Sequence, residues 1–119
     1  MIKEIAFTGS SVTDMKRARA FYEDVLGLRV NEEMAGGKWI EYQVGGGIFA
    51  ITNIDPTWTP SSQGTAVAFE VDDLDKTIAE LKKSGAKFYL EKRETPVCWT
   101  AIVYDPDENK VVIHKKKSA

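Results

Sequence analysis

Apolar residues recur at spacings of three and four after Asp14 and again after Asp73, a period typical of an amphipathic helix. Aspartate is a favoured N-cap residue, and glycine is favoured just past the end of a helix. We therefore predict one helix between Asp14 and Gly27 and a second helix between Asp73 and Gly85.

Short segments rich in apolar residues surround both predicted helices and are typical of β-strands. One segment precedes each helix, within IAFTGSS and within TAVAFE. The others are predicted at residues 28–33, 38–44 and 48–52 of the first half, and at residues 87–90, 98–104 and 110–115 of the second. Glycine clusters separate the strands of the first half, as in hairpins. Each half is therefore predicted to be a β-α-β-β-β module.

The two halves repeat one another, because VTDM before the first helix superposes on VDDL before the second. A sheet that is apolar on one face cannot bury that face alone, so the two modules are expected to pair. We predict an α+β fold in which the sheets of the two modules form a cup. The 119 residues are predicted to make one domain, with module one at 1–53, a linker at 54–64, module two at 65–116 and a basic tail at 117–119.

Composition is that of an ordinary globular protein, with 43% hydrophobic and 29% charged residues. No apolar run approaches the length of a membrane span, and the first residues enter a strand pattern without a signal peptide, so we expect a cytoplasmic protein. The net charge of −2 argues against nucleic acid as a partner. A single cysteine excludes an internal disulfide and any multi-cysteine metal site.

Three segments carry a family resemblance: VTDMKRARAFYEDVLGL, AFEVDDLDKTIAELKKSGAKF and DPDENKVVIH. In this order and spacing they resemble the vicinal oxygen chelate superfamily, which includes glyoxalases, bleomycin-resistance proteins, fosfomycin-modifying enzymes and extradiol dioxygenases. The resemblance covers nearly the whole chain and implies paired β-α-β-β-β modules, usually in a homodimer. The chain departs from the family pattern at Glu108, because the last turn usually has glycine at this position.

Metal-dependent members of that superfamily carry a ligand on the first and last strand of each module. The resemblance maps those positions onto Phe7, Ala50, Ala66 and Val112, and none of these side chains can bind a metal. The chain has one histidine, so an iron site of two histidines and one carboxylate cannot be assembled within it. We therefore expect neither a metal nor another cofactor.

The third strand offers candidate ligand contacts, because Trp39, Glu41 and Gln43 alternate with apolar residues and would face the cup. An equally weighted alternative places Glu41 and Gln43 on a solvated sheet surface. Trp58, in the linker, either covers the cup or packs over the seam between the modules, and the second reading is slightly preferred.

Cys98, Trp99 and Thr100 begin the seventh strand, and His114 lies two residues after Val112, on the same strand face. A nucleophile and base pair of Cys98 and His114 would need direct contact and a third, orienting group, and the sequence shows neither. A structural or ligand-contacting role is favoured for both. The weak catalytic candidates are Glu41, His114 and Cys98.

The preferred hypothesis is a metal-free protein that binds a small aromatic or apolar molecule in the cup. One alternative is a lyase, isomerase or epimerase that uses Glu41 and His114 or an unrecognised metal. Another is a protein-interaction module. The predicted ligand contacts are Phe7, Trp39, Glu41, Gln43, Ala50, Ala66, Trp58, Cys98, Trp99, Thr100, Val112 and His114.

Overall fold

The computed structural model describes residues 1–118, which fall into two units, the first Met1–Pro60 and the second beginning at Ser61. Ala119, the last residue of the predicted basic tail, lies outside the described residues. Among residues 1–118, no helix is both long and apolar enough to cross a membrane.

The first unit holds one four-stranded sheet and a helix that changes type along its length. Its elements are β1 (Thr8–Ser11), α1 (Met15–Arg19), a π-helical segment (Ala20–Val25), β2 (Arg29–Met34), a 3₁₀ turn (Ala35–Gly37), β3 (Trp39–Val44) and β4 (Gly47–Thr52). The strand order is β1-β4-β3-β2, with β1 parallel to β4 and the other pairs antiparallel.

The second unit repeats this topology. Its elements are β5 (Val67–Glu70), α2 (Leu74–Lys83), β6 (Lys87–Glu94), β7 (Cys98–Tyr104) and β8 (Lys110–Lys116), in the strand order β5-β8-β7-β6. β5 is parallel to β8, as β1 is to β4. The predicted α+β fold of two β-α-β-β-β modules is confirmed, whereas the predicted cup stays a prediction.

Both helices begin where the sequence predicts. The Asp14 carboxylate accepts a hydrogen bond from the backbone N–H of Arg17 at 3.0 Å, and Asp73 accepts one from Lys76 at the same distance. These bonds satisfy amide groups that have no partner within the helix. Each cap therefore fixes the corner between a strand and the helix that follows it.

The π-helical segment was not expected from the sequence. In a π-helix each N–H donates to the carbonyl five residues earlier, which makes the turn wider than in an α-helix. Here the N–H of Leu26 donates to the carbonyl of Phe21 at 2.9 Å. Phe21 and Tyr22 are consecutive, yet their side chains are only 7% and 0% exposed. The wider turn lets two adjacent aromatic side chains both face the sheet.

Each sheet packs one face against its own helix. In the first unit, Ile40, Tyr42, Phe49 and Ile51 are buried on that face, and the rings of Tyr22 and Phe49 lie 5.2 Å apart. In the second unit, α2 packs on β7 and β8. The buried residues there are Leu74, Leu81, Ala101, Val103, Val111 and Ile113. The opposite face of each sheet, called its open face below, is left for other roles.

A polar contact also ties the first helix to its sheet. The Tyr42 hydroxyl donates to Glu23 Oε2 at 2.8 Å, and Arg19 Nε donates to the same oxygen at 2.6 Å. Burial and the neighbouring Glu23 carboxylate raise the pKa of Tyr42, so its hydroxyl keeps the proton that it donates.

Strand boundaries differ from the prediction at three places. Phe7 and Ala66 lie just before their strands, because the parallel ladders start at Thr8 and Val67. β6 runs on to Glu94, past the predicted end at Leu90, and register shifts on both sides of Leu90 break the alternation that would have revealed it.

The last turn closes without its usual glycine. Glu108 has a φ of +66°, in the left-handed region that L-residues rarely adopt. The Asp105 carboxylate holds the turn by accepting from the N–H of Asp107 at 2.8 Å and of Asn109 at 2.9 Å. The turn is therefore fixed by aspartate hydrogen bonds against local backbone strain.

Replacing Glu108 by glycine should stabilise the protein. The left-handed conformation costs an L-residue about 1–2 kcal/mol, and glycine avoids this cost. Glycine loses more backbone entropy on folding, however, which offsets roughly 0.5–1 kcal/mol of the gain. We expect the free energy of unfolding to rise by up to about 1 kcal/mol, seen as a higher urea midpoint with an unchanged slope. Glu108→Ala, which keeps the Cβ, should change little, and a lower midpoint for Glu108→Gly would disprove the strain.

Candidate functional site

The open face of the first sheet carries the side chains predicted to contact a ligand. Trp39, Glu41 and Gln43 alternate along β3 with the buried Ile40 and Tyr42, so they point away from the helix. Across the ladder Glu41 pairs with Ala50, which is fully buried and also pairs with Gly9. The choice of faces made from the sequence thus agrees with the register.

Three aromatic side chains gather on this face and are called the aromatic cluster: Phe7, Trp39 and Trp58. Phe7 packs edge-on against Trp39, with ring centroids 5.1 Å apart and planes at 85°. The Trp58 indole lies over Gly9, where an added Cβ would come within 2.9 Å of Trp58 Cη2 and 3.4 Å of Phe7. Gly9 therefore makes the room in which the rings of Phe7 and Trp58 sit side by side.

Trp58 is held in place by its own unit. The Ser11 hydroxyl donates to the Trp58 carbonyl, and the Trp58 N–H donates to the carbonyl of Asp55 at 3.1 Å. Hydrogen bonds from the hydroxyl and N–H of Thr57 to the Asp55 carboxylate lower its pKa and brace the same turn. Trp58 thus packs over Gly9 of its own module.

A cleft of about 280 Å³ lies beside Trp58 and is called the Trp58 cleft. Sequence reasoning missed Asn53, which lines it, because a lone asparagine after a strand gives no signal. Asn53 Oδ1 is buried and has no hydrogen-bond partner among the described residues. The lining residues are Ser11, Val12, Thr13, Asn53, Asp55, Pro56, Trp58, Thr59 and Pro60.

Glu41 and Gln43 have different roles in the structure. Trp39 Nε1 donates to Glu41 Oε2 at 3.0 Å, which joins the carboxylate to the aromatic cluster. Gln43 Nε2 instead donates to the carbonyls of Gly45 at 2.8 Å and Gly47 at 3.3 Å. Gln43 therefore closes the hairpin between β3 and β4, and Glu41 is the polar group beside the rings.

The open face of the second sheet brings together a thiol, an imidazole and a carboxylate. His114 pairs with Glu70 on one side and with Thr100 on the other. His114 Nδ1 and Glu70 Oε1 are 2.5 Å apart. The Cys98 sulfur lies 3.1 Å from Thr95 Oγ1 and 3.5 Å from Thr100 Oγ1, and Thr100 is the ladder partner of His114.

Glu70 is the group that sequence reasoning missed. Cys98 and His114 were both candidates, but a third, orienting residue was not visible along the chain. The signal lies in the parallel pairing of β5 with β8, in which Ala68 pairs with Val112. Two residues further along each strand are Glu70 and His114. Because both strands run in the same direction, these two residues also pair, and their side chains lie on the same face as those of Ala68 and Val112.

Trp99 is not part of either group. It alternates with Cys98 and Thr100 along β7, so it lies on the helix side with Ala101. The Lys117 ammonium lies 4.8 Å from the centroid of its ring. The prediction that Trp99 contacts a ligand together with Cys98 and Thr100 therefore conflicts with strand alternation.

The neighbours of Cys98 and His114 shift the pKa values of these two groups toward each other. Hydrogen bonds from Thr95 and Thr100, and then His114, lower the pKa of Cys98. The hydrogen bond to Glu70 raises the pKa of His114, with a further contribution from Cys98. Glu70 itself has a lowered pKa, first because it accepts the Lys116 N–H at 2.8 Å and then because of His114.

The chain matches the model of a known protein family over most of its length. The family model described as Glyoxalase/Bleomycin resistance protein/Dioxygenase superfamily matches residues 4–113. The chain belongs to this superfamily. No curated protein matches it significantly.

Several solved structures of this superfamily's fold are similar to the chain. TnmS3, an antibiotic-binding protein from Streptomyces sp. CB03234, is 23% identical with a TM-score of 0.83, over 98% of each chain. A glyoxalase/bleomycin resistance protein from the same organism is 23% identical with a TM-score of 0.76, over 92% of this chain and 98% of that one. Lactoylglutathione lyase from Agrobacterium tumefaciens is 18% identical with a TM-score of 0.77, over 97% of this chain and 95% of that one.

The metal site found in metal-dependent members of the superfamily does not fit this chain. The four mapped positions are Phe7, Ala50, Ala66 and Val112, whose side chains contain no oxygen, nitrogen or sulfur. Val112 lies in the ladder between Ala68 and Ile102, which add no donor. No group of three or more His, Cys, Asp or Glu residues within 1–118 could hold a metal ion.

Substituting Glu70 by glutamine should lower the pKa of His114. The Glu70 carboxylate stabilises the protonated ring, so the wild-type pKa should lie above the ordinary value of 6.5. Because this folded-state pKa is raised, the stabilisation is present at low pH and is lost as the pH rises through that pKa. Proton NMR of the single histidine measures it directly.

Glu94→Gln is the matched control, since Glu94 pairs with Lys117 at 2.6 Å instead. It should leave the His114 titration unchanged. An unaltered His114 pKa in Glu70→Gln would show that the carboxylate does not act on the ring.

Proposed function

We propose that this superfamily member binds a small, planar aromatic or apolar molecule on the open face of its first sheet, without a metal. The observation that carries the proposal is the aromatic cluster of Phe7, Trp39 and Trp58 over the small Gly9. Large aromatic side chains are usually buried when they serve only the core. Here Phe7 is 43% exposed and Trp58 is 38% exposed.

Stacking on such rings supplies affinity without a metal. Each aromatic contact contributes about 0.5–1.5 kcal/mol beyond the burial of apolar area. Two or three such contacts contribute roughly 1–4.5 kcal/mol toward the roughly 8 kcal/mol of micromolar binding, and burial of apolar area has to supply the rest. The aromatic cluster therefore supports recognition by shape and apolar contact.

Polar groups beside the rings would orient the ligand. Glu41 accepts from Trp39 through Oε2, and a carboxylate can accept further hydrogen bonds through its other oxygen. Asn53 lines the Trp58 cleft, and its buried Oδ1, which has no hydrogen-bond partner among the described residues, would gain one if a ligand N–H or hydroxyl reached it. A planar molecule with hydrogen-bond donors on its edge, or with a positive charge, suits these groups.

The similarity to TnmS3 supports a binding role, because that protein is described as antibiotic-binding. The alternative of a lyase, isomerase or epimerase with Glu41 and His114 gains less support. Glu41 lies on β3 of the first unit, where it accepts from Trp39, whereas His114 lies on β8 of the second unit. A protein-interaction role and the homodimer both stay predictions.

Titration with the planar cation 9-aminoacridine tests the proposal, with quenching of tryptophan fluorescence as the readout. Trp39→Ala should weaken binding about tenfold, which corresponds to roughly 1.4 kcal/mol for a lost stacked contact. Trp99→Ala is the matched control, because Trp99 lies on the helix side of the other sheet, and its dissociation constant should equal that of the wild type.

Absence of saturable quenching by 9-aminoacridine and by a set of neutral planar aromatics would overturn the binding proposal. So would an equal loss of affinity in Trp39→Ala and Trp99→Ala. Weaker binding in Trp58→Ala but not in Trp99→Ala would agree with the proposal.

A further inference from the structure

We infer that Cys98, His114 and Glu70 form a site for the covalent capture of α,β-unsaturated carbonyl compounds, with Cys98 as the nucleophile. The three residues share the open face of the second sheet, where His114 Nδ1 lies 2.5 Å from Glu70 Oε1 and Cys98 stands two residues before Thr100, the ladder partner of His114. A nucleophile, a base and a group that orients the base are the parts of an activated thiol site. The inference does not depend on ligand binding at the aromatic cluster.

Glu70 fixes the ring of His114. One carboxylate oxygen binds Nδ1 at 2.5 Å, and the other accepts the Lys116 N–H at 2.8 Å, so the carboxylate itself is held by the backbone. With Nδ1 engaged, Nε2 is the ring nitrogen left for the thiol. Glu70 is thus a positioning residue, acting through His114.

Cys98 is held at the first residue of β7 by a tight turn. Its N–H donates to Thr95 Oγ1 at 3.0 Å, and its carbonyl accepts from the Thr95 N–H at 2.9 Å. The hydroxyls of Thr95 and Thr100 also lie beside the sulfur, and hydroxyl donors stabilise a thiolate. The nucleophile is therefore set in place before any substrate arrives.

The surrounding charges favour the thiolate. Glu70 of β5 faces His114, while Lys116 of β8 lies opposite Cys98 and Arg93 of β6 lies opposite Thr100 in the ladders. The pKa of Cys98 is lowered by its hydroxyl neighbours and by His114. A thiolate near neutral pH reacts far faster than a thiol.

The exposed part of the site is its imidazole and carboxylate. Cys98 is 8% exposed, whereas the side chains of His114 and Glu70 are 35% and 44% exposed. We therefore expect an electrophile to approach the sulfur from the side of the imidazole. This limited opening favours small, slender electrophiles over bulky ones.

The reaction balances without a further reagent. His114 takes the Cys98 proton, and the sulfur pair forms a bond to the β-carbon of the unsaturated carbonyl compound. The π pair of the C=C bond moves to make an enolate, and the imidazolium returns the proton to its α-carbon. The product is a thioether on Cys98. The addition releases no leaving group and uses no cofactor.

N-ethylmaleimide, an α,β-unsaturated imide, is the probe, and the adduct is followed by intact mass spectrometry. The chain has one cysteine, so each added mass reports Cys98. At pH 7, Glu70→Gln and His114→Ala should react at least about tenfold more slowly than the wild type, a smaller loss than the roughly 100-fold or more expected for complete removal of acid–base assistance. Glu94→Gln should react at the wild-type rate.

The pH profile separates activation from access. At pH 10 the thiol is ionised in every variant, so the rates of wild type and Glu70→Gln should converge when labelling is followed on the peptide that contains Cys98, since maleimides also label lysine at that pH. A loss of rate in Glu70→Gln that persists equally at pH 7 and pH 10 would mean a change of access and would overturn the inference. Equal rates at pH 7, or no labelling of the folded wild type, would overturn it as well.

Discussion

Alternation along the β-strands is the constraint on which the rest of this structure depends. Each strand sends successive side chains to opposite faces, so a module that packs one face on its helix must present the other residues together. In the first unit Ile40 and Tyr42 are buried against the helix, so the side chains of Trp39 and Glu41 point to the opposite face of the sheet. The chemistry of each open face is therefore set by the same register that builds the core.

The two modules share a topology but use equivalent positions differently. At the end of the parallel ladders, Ser11 pairs with Thr52 in the first sheet, and Glu70 pairs with His114 in the second. The hydroxyl of Ser11 holds the Trp58 segment, whereas the second pair makes an ionisable contact next to Cys98. Repetition of the fold thus leaves one aromatic face and one face with a thiol and an imidazole.

Local signals in the sequence predicted most of the fold. The capping aspartates, the period of the helices and the alternation in β3 each depend on neighbours within a few residues. The contact between Glu70 and His114 joins strands that are 44 residues apart, so no local pattern carries it. Trp58 lies in a segment without a period, and its place over Gly9 depends on a hydrogen bond from the Ser11 hydroxyl and on one that the Trp58 N–H donates to the Asp55 carbonyl. Trp99 is different, because alternation along β7 puts it on the face opposite Cys98 and Thr100, with which it was predicted to contact a ligand.

The central proposal is that this member of the superfamily recognises a ligand through side chains of the open faces and without a metal. The mapped metal positions, Phe7, Ala50, Ala66 and Val112, offer carbon atoms alone. The most direct test is elemental analysis of the purified protein after dialysis. The account predicts far less than one equivalent of nickel, zinc, manganese or iron per chain. One equivalent of any of these metals per chain, retained through dialysis, would contradict it.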